Sequence, residues 1–231
     1  MSSTLPDAAI LAVVSDPLSH GQLRARFADL TETPAILKAF DFARDRMSPV
    51  LFNHVTRSWI FAAKIGARRN EPFDAEIVAV TTLLHDLGFT AHGKGPHRFE
   101  VNGANVARAF VRDLGFDDRR AQLVWDGIAL HVTHSISLFK ETEVALSSRG
   151  IGVDFGTADY ATLDPAEIAA VIDAVPQLHF KTEFASCAIA MATTQPESTY
   201  DTFIRDFGDR YLPDYHAPSW VDAIAAGPFA E

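Results

Sequence analysis

Apolar residues recur at helical spacing along almost the whole of this chain, and strand-like alternation is scarce. The segment "SPVLFNHVTRSWIFAAKIGARRN" opens on a serine suited to cap a helix, has Pro49 at the first helical position and carries basic residues in its last turn. "DAEIVAVTTLLHDLG" opens on Asp74 and closes near Gly88; "EVNGANVARAFVRDLG" closes on Gly115; "DDRRAQLVWDGIALHVTH" has acids at its start. "LDPAEIAAVIDAV" pairs Asp164 with Glu167 as a capping box around Pro165, and "KTEFASCAIAMATT" and "ESTYDTFIRDFGDRY" complete the set. The one strand-like candidate, "GIGVDFG" at 150–156, holds three glycines and reads as a loop. The expected fold is therefore all-α, a helical bundle with an N-terminal helical extension: residues 1–46 packed as a helical segment on a main domain over 47–231. The glycine-rich pieces at 88–97 and 150–156 are its irregular parts, and loops held by a rigid scaffold commonly carry function.

At 231 residues the chain can bury one sizeable core. Its net charge of −10 repels nucleic-acid phosphates, and its densest basic spots, Arg68-Arg69 and Arg119-Arg120, read as solvated surface. Cys187 is the single cysteine, so no intrachain disulfide forms; its apolar surroundings predict a buried thiol. "AAILAVV" near the N-terminus is too short to span a bilayer and lacks a basic flank, so a cytoplasmic protein with no membrane or nucleic-acid partner is expected.

Five of the nine histidines fall between Thr81 and Ser135. His54 lies on the helix expected over 49–69, on a largely apolar face with Val50 and Leu51 behind it and Arg57 and Ser58 ahead. That setting suits a hydrogen-bonded core histidine or a ligand. His85 and Asp86 end a run of leucines, about 100° apart on a helix. There an aspartate opposes the negative end of the helix dipole, a conflict that a cation would remove. Asp154 sits among glycines that let the backbone approach closely. His131 and His134 stand three apart on the helix beginning near Asp118, with His131 facing inward. Two imidazoles and two carboxylates suit zinc, iron or manganese better than calcium, and such an ion activates water near neutral pH.

The order His54, His85-Asp86, Asp154 resembles the HD-domain superfamily of metal-dependent hydrolases, whose H…HD…D pattern rides on a helical core. Within it, "FNHVTRSWIFA", "LLHDLGF", "RFEVNGANVARAF", "GIALHVTHSI" and "GVDFG" resemble the cyanamide hydratase family, over roughly Pro49 to Asp164. The resemblance implies an HD-domain bundle over 47–231. It makes His54, His85, Asp86 and Asp154 ligands of one divalent transition metal, zinc first and iron or manganese next, with Asp159 competing for the last place.

It further implies a hydratase that adds water to a small nitrile-type substrate such as cyanamide, giving urea. His131, His134 and Glu100 are then the candidate proton carriers. Glu100 also reads as an acid complementing its helix start. Asn53, Arg57, Phe89 and His97 are candidate substrate contacts: Arg57 either binds an anionic group or pairs with Asp86, and "TAHGKGPH" shapes the pocket entrance. Phe89, Trp59 and Trp125 read as pocket wall or, more simply, as core. A nucleotide phosphohydrolase is the first rival; it needs several cations, and only Arg57, Lys94 and Arg98 lie near the motifs. A metal-free binding or scaffold protein on the same fold is the second. The C-terminal "YLPDYHAPSWVDAIAAGPF" is expected to pack on the domain or on a second copy in a homo-oligomer.

Overall fold

The computed structural model describes residues 17–69 and 71–228. The run "AAILAVV" and the rest of residues 1–16 lie outside them. Among the described residues there is no strand, and the chain forms the all-helical bundle that its periodicity predicts.

Two short helices, α1 (His20–Arg26) and α2 (Pro34–Arg44), precede the central helix α3 (Pro49–Arg68). Their apolar residues Leu23, Phe27, Ile36 and Phe40 join the same core as α3. Ser48 caps α3 through the Leu51 amide, and Pro49 occupies its first turn, as expected. From Leu51 to Ala62 every residue of α3 is buried, so this helix is surrounded rather than amphipathic. Its small polar side chains are satisfied locally: Thr56 donates to the Phe52 carbonyl at 2.8 Å and Ser58 to the His54 carbonyl at 2.9 Å. Trp59 is core, with the His20 ring stacked on it at 5.5 Å.

Helix α4 (Ala75–Leu84) is capped by Asp74 and packs on α3 and α2. It stops at Leu84, and the backbone tightens into a 3₁₀ turn over His85–Phe89. Helix α5 (Phe99–Asp113) lies across that turn and packs on α6 (Asp118–Ala129). The approach leaves no room for a side chain at Gly88, where a Cβ would overlap the Phe99 carbonyl. That contact is the structural reason for glycine after the His-Asp pair. Helix α6 ends at Ala129, earlier than its periodicity suggests. His131 therefore sits in the following turn, and His134 opens the short α7 (His134–Ser137).

The glycine stretch at 150–156 is not the loop its composition predicts. Helix α8 (Thr142–Val153) runs through Gly150 and Gly152 and ends on Asp154. Gly150 is there because α8 crosses α3 closely: a Cβ would fall 2.6 Å from the Ser58 carbonyl oxygen. Helix α9 (Pro165–Ala174) is capped by Asp164, but the reciprocal half of the expected box is missing, because Glu167 pairs with Lys64 and Arg68 of α3 instead. Helices α10 (Phe180–Thr194) and α11 (Ile204–Tyr211) pack together and build a smaller apolar cluster against Phe99. The last helix, α12 (Trp220–Ala225), buries none of its residues.

No helix among the described residues is long and apolar enough to cross a membrane. Cys187 is half-buried rather than fully enclosed, and burial, with Glu183 beside it, pushes its thiol up to about 11.

The close crossing of α3 and α8 gives a direct test. Gly150→Ala forces the two helices apart and is expected to cost about 1–3 kcal/mol, as overpacking of a filled core does. Urea denaturation measures it; an unchanged midpoint would contradict the packing described.

Candidate metal centre

Three of the residues singled out by sequence converge. His54 comes from the middle of α3, while His85 and Asp86 come from the 3₁₀ turn after α4. The His54 Nε2 lies 3.1 Å from the His85 Nε2. The Asp86 Oδ2 lies 3.6 Å from the first and 3.5 Å from the second. All three side chains are essentially without solvent contact. Ligand atoms around a tetrahedral ion with bonds of about 2.0–2.1 Å lie about 3.3–3.4 Å apart, so this triangle has the dimensions of one face of such a site.

The hydrogen bonds around the triangle fix what each atom offers. The His85 Nδ1–H donates to the Thr82 carbonyl at 2.8 Å. The His54 Nδ1–H donates to the Asp154 carboxylate at 2.8 Å. With both Nδ1 atoms spent as donors, the neutral rings turn two lone pairs towards each other, an arrangement that needs a cation between them. The Asp86 Oδ2 is buried and has no hydrogen-bond partner. A buried carboxylate oxygen left bare is costly, and here it points at the same spot.

Burial pushes the Asp86 carboxyl up, with His54 and His131 opposing, and burial drives the His85 imidazole well below its usual range, helped by His54. The three side chains form a fully buried donor set. Its two nitrogens and one oxygen suit a divalent transition metal.

Asp154 does not join the three donors. Its carboxylate lies on the Nδ1 side of the His54 ring, away from the triangle, and is held by Arg57. The Arg57 Nε reaches Asp154 Oδ1 at 2.8 Å while its Nη2 reaches Oδ2 at 2.5 Å. The remaining Arg57 nitrogen donates to the Val175 and Pro176 carbonyls at 3.3 Å and 3.0 Å. Burial alone would raise the Asp154 carboxyl, but the hydrogen bonds from His54 and Arg57 hold it far below the usual carboxylate range. The Asp154 carboxylate is thereby placed to fix the orientation of the His54 ring. Asp159, the competitor, is paired with Arg149 at 2.8 Å.

The donors line a cavity of about 200 Å³. His131 and His134 line it with them. The His131 Nδ1–H donates to the Ile128 carbonyl at 2.7 Å, leaving Nε2 as the free acceptor, and its ring meets that of His85 edge-on at 4.9 Å. Burial, with His85 close by, lowers His131 to about 4. The His134 Nδ1 bonds the Ser148 hydroxyl at 2.8 Å, and Ser148 in turn donates to the His131 carbonyl at 3.2 Å. One serine thus ties both histidines to α8.

The other residues singled out by sequence lie elsewhere. Glu100 is fully buried and saturated, accepting from Arg98 at 2.8 Å and from Thr202 at 2.9 Å; it is a clamp between α5 and the start of α11, not a proton carrier facing the cavity. The Asn53 amide donates to the Pro176 carbonyl at 2.8 Å and lines a different cavity. Arg57 pairs with Asp154 rather than with Asp86 or a ligand. Phe89 and His97 line a third cavity, over Cys187. Trp125 donates to Asn105 at 2.9 Å, outside the site.

Reading along the chain missed the cavity's apolar wall: Val132, Ile151, Phe155, Phe184 and Phe203. The available signals were Phe155 directly after Asp154, and Phe180 with Phe184 one turn apart at the start of α10.

Arg57 gives the test of this arrangement. Arg57→Ala leaves the Asp154 carboxylate buried and without its cation, and is expected to cost about 3–5 kcal/mol in urea unfolding of the metal-free protein. Arg57→Lys should recover only part of that, because a single ammonium cannot reproduce the fork. An alanine variant as stable as the parent would show the pair to be dispensable.

No curated protein matches this sequence. The HD domain model matches residues 51–176. That stretch is more than half of the chain and contains His54, His85, Asp86, His131, His134 and Asp154. The chain belongs to the HD domain family.

Proposed function

We propose that this protein is a metal-dependent hydratase acting on a small uncharged nitrile-type molecule, cyanamide being the smallest of the class. The observation that carries the proposal is the charge of the cavity. Among the described residues its polar side chains are the three donors and two further histidines, and no lysine or arginine lines it.

A phosphate ester brings charge that spreads over several oxygens in the transition state and needs more than one cation. The cations expected to serve it are committed elsewhere. Arg57 is spent on Asp154, Arg98 on Glu100 and Asp201, and Lys94 lines the separate cavity beside Phe89. The phosphohydrolase reading loses its electrostatics, and an uncharged substrate fits.

His54, His85 and Asp86 would hold the divalent ion, which supplies Lewis acidity and water activation when bound. Zinc fits the donor set and its spacing, with iron and manganese as the alternatives. Asp154, itself gripped by Arg57, keeps the His54 ring turned so that Nε2 faces the site. The His131 Nε2 is the acceptor for the proton lost by the incoming water. The protonated His131 then returns that proton to the substrate nitrogen, while His134, its Nδ1–H given to Ser148, offers Nε2 as a hydrogen-bond acceptor beside it. Water adds across the C≡N bond and nothing leaves, so the product from a nitrile is the carboxamide and from cyanamide, urea.

His85→Ala and Asp86→Ala are each expected to lose bound metal and hydration together, followed by elemental analysis and by urea formation from cyanamide. A nucleoside monophosphate panel run alongside decides the rival. Wild-type metal content with full turnover in both variants would rule the site out, and phosphate release without any hydration would select the phosphohydrolase.

A further inference from the structure

We infer that the physiological substrate carries an apolar, ring-sized substituent, which lies on a phenylalanine wall running away from the metal site. This rests on the hydratase reading above and deepens it. The reactive end of the substrate meets the histidines, and the rest of it is recognised chiefly by aromatic surface.

Volume is the first argument. Cyanamide has three heavy atoms, whereas about 200 Å³ is the room of about six to seven waters at liquid density. A three-atom substrate would leave much of that space to water or to nothing.

Shape is the second. The cavity does not end at its apolar wall. A further cavity of about 310 Å³ shares Phe155, Phe184 and Phe203 with it and adds Phe180 and Phe207. The five rings form one continuous surface. Phe155 meets Phe184 at 5.3 Å and Phe180 at 5.4 Å, Phe184 stacks on Phe203 at 5.7 Å, and Phe203 meets Phe207 at 6.1 Å. The same surface reaches the reacting groups, for Phe180 stacks on the His54 ring at 4.5 Å.

Exposure is the third. Phe155 follows the buried Asp154, yet half of its surface is open. Its backbone is fixed by the end of α8, so this exposure is built into the fold. A planar apolar group seated there covers Phe155 and stacks on rings already in place, with no polar partner required. The polar side chains lining this second cavity are Asp154, already paired, Gln177, which donates to Asp154 at 3.5 Å, and the exposed Lys181. An alkyl or aryl nitrile therefore suits the pair of cavities better than cyanamide does.

The test separates this inference from the reaction assigned to the site. Calorimetry of phenylacetamide and acetamide on the metal-loaded protein reads recognition without turnover. The aryl amide is expected to bind at least about tenfold more tightly, the scale of discrimination that a few apolar groups give in a fitted pocket. Phe155→Ala and Phe203→Leu should each reduce that preference severalfold. Phe155 is half-exposed, so its truncation leaves the core intact.

In parallel, kcat/KM for phenylacetonitrile should exceed that for cyanamide by about tenfold or more. Equal binding of the two amides, or a preference that neither variant changes, overturns the inference even if cyanamide is hydrated. An aryl preference lost in the variants, with neither nitrile hydrated, upholds the wall and sinks the hydratase reading instead.

Discussion

A guanidinium with no solvent contact lies in the middle of this bundle, and the rest of the structure is arranged to keep it there. Arg57 sits on the most enclosed helix, where an uncompensated charge would be intolerable. Its fork is answered by Asp154 at the end of α8 and by the carbonyls of Val175 and Pro176 after α9. The two distant chain segments are thereby held against α3. The same carboxylate takes the His54 Nδ1–H, so the ion pair that closes the fold also decides which nitrogen His54 offers to the site. Stability and site geometry share one interaction here, and neither can be altered without the other.

The centre itself is placed where the backbone runs out of helix. At Leu84 the α4 ladder ends with its carbonyls directed towards the 3₁₀ turn, and the negative end of the helix dipole lies beside Asp86. Two lone pairs from buried imidazoles face the same point. Every local contribution is negative, and the apolar surroundings screen none of it. A metal ion resolves all three conflicts together. The bundle thus stores its unfavourable electrostatics at one point and keeps the remaining wall of the cavity uncharged.

Much of this was legible in the order of residues, and the failures have a common cause. Local signals were reliable where local physics decides. Ser48 with Pro49 starts α3, Asp74 starts α4, and Gly115, at φ +89°, follows α5. The convergence of His54 with His85-Asp86 was readable from the family pattern. The misreadings came where tertiary contact overrides propensity. Gly150 and Gly152 read as a loop because glycine is a poor helix former, yet Gly150 is glycine so that α3 can approach, a reason with no trace in its own neighbourhood. Glu100 and Asn53 read as functional because their types are reactive, while their actual partners, Arg98 with Thr202 and the Pro176 carbonyl, are settled by packing. The phenylalanines of the wall come from the end of α8, from α10 and from the approach to α11, too far apart to be seen together.

That wall changes what the histidines can be asked to do. In a site lined by three candidate metal donors, two further histidines and apolar side chains, an uncharged substrate of the kind proposed would draw its affinity mainly from apolar area. The polar groups are then free for the chemistry. His131 has its Nδ1 locked to a carbonyl and keeps Nε2 free on the cavity, and His134 is locked in turn through Ser148. Division of labour of this kind sets a limit on substrate polarity. Away from Lys181 and Gln177, a charged substituent would lie against the phenylalanine surface without a partner, and its desolvation would oppose binding. On the proposed reading the surface favours an uncharged substrate over a phosphate, through the cost of desolvating charge rather than through a clash.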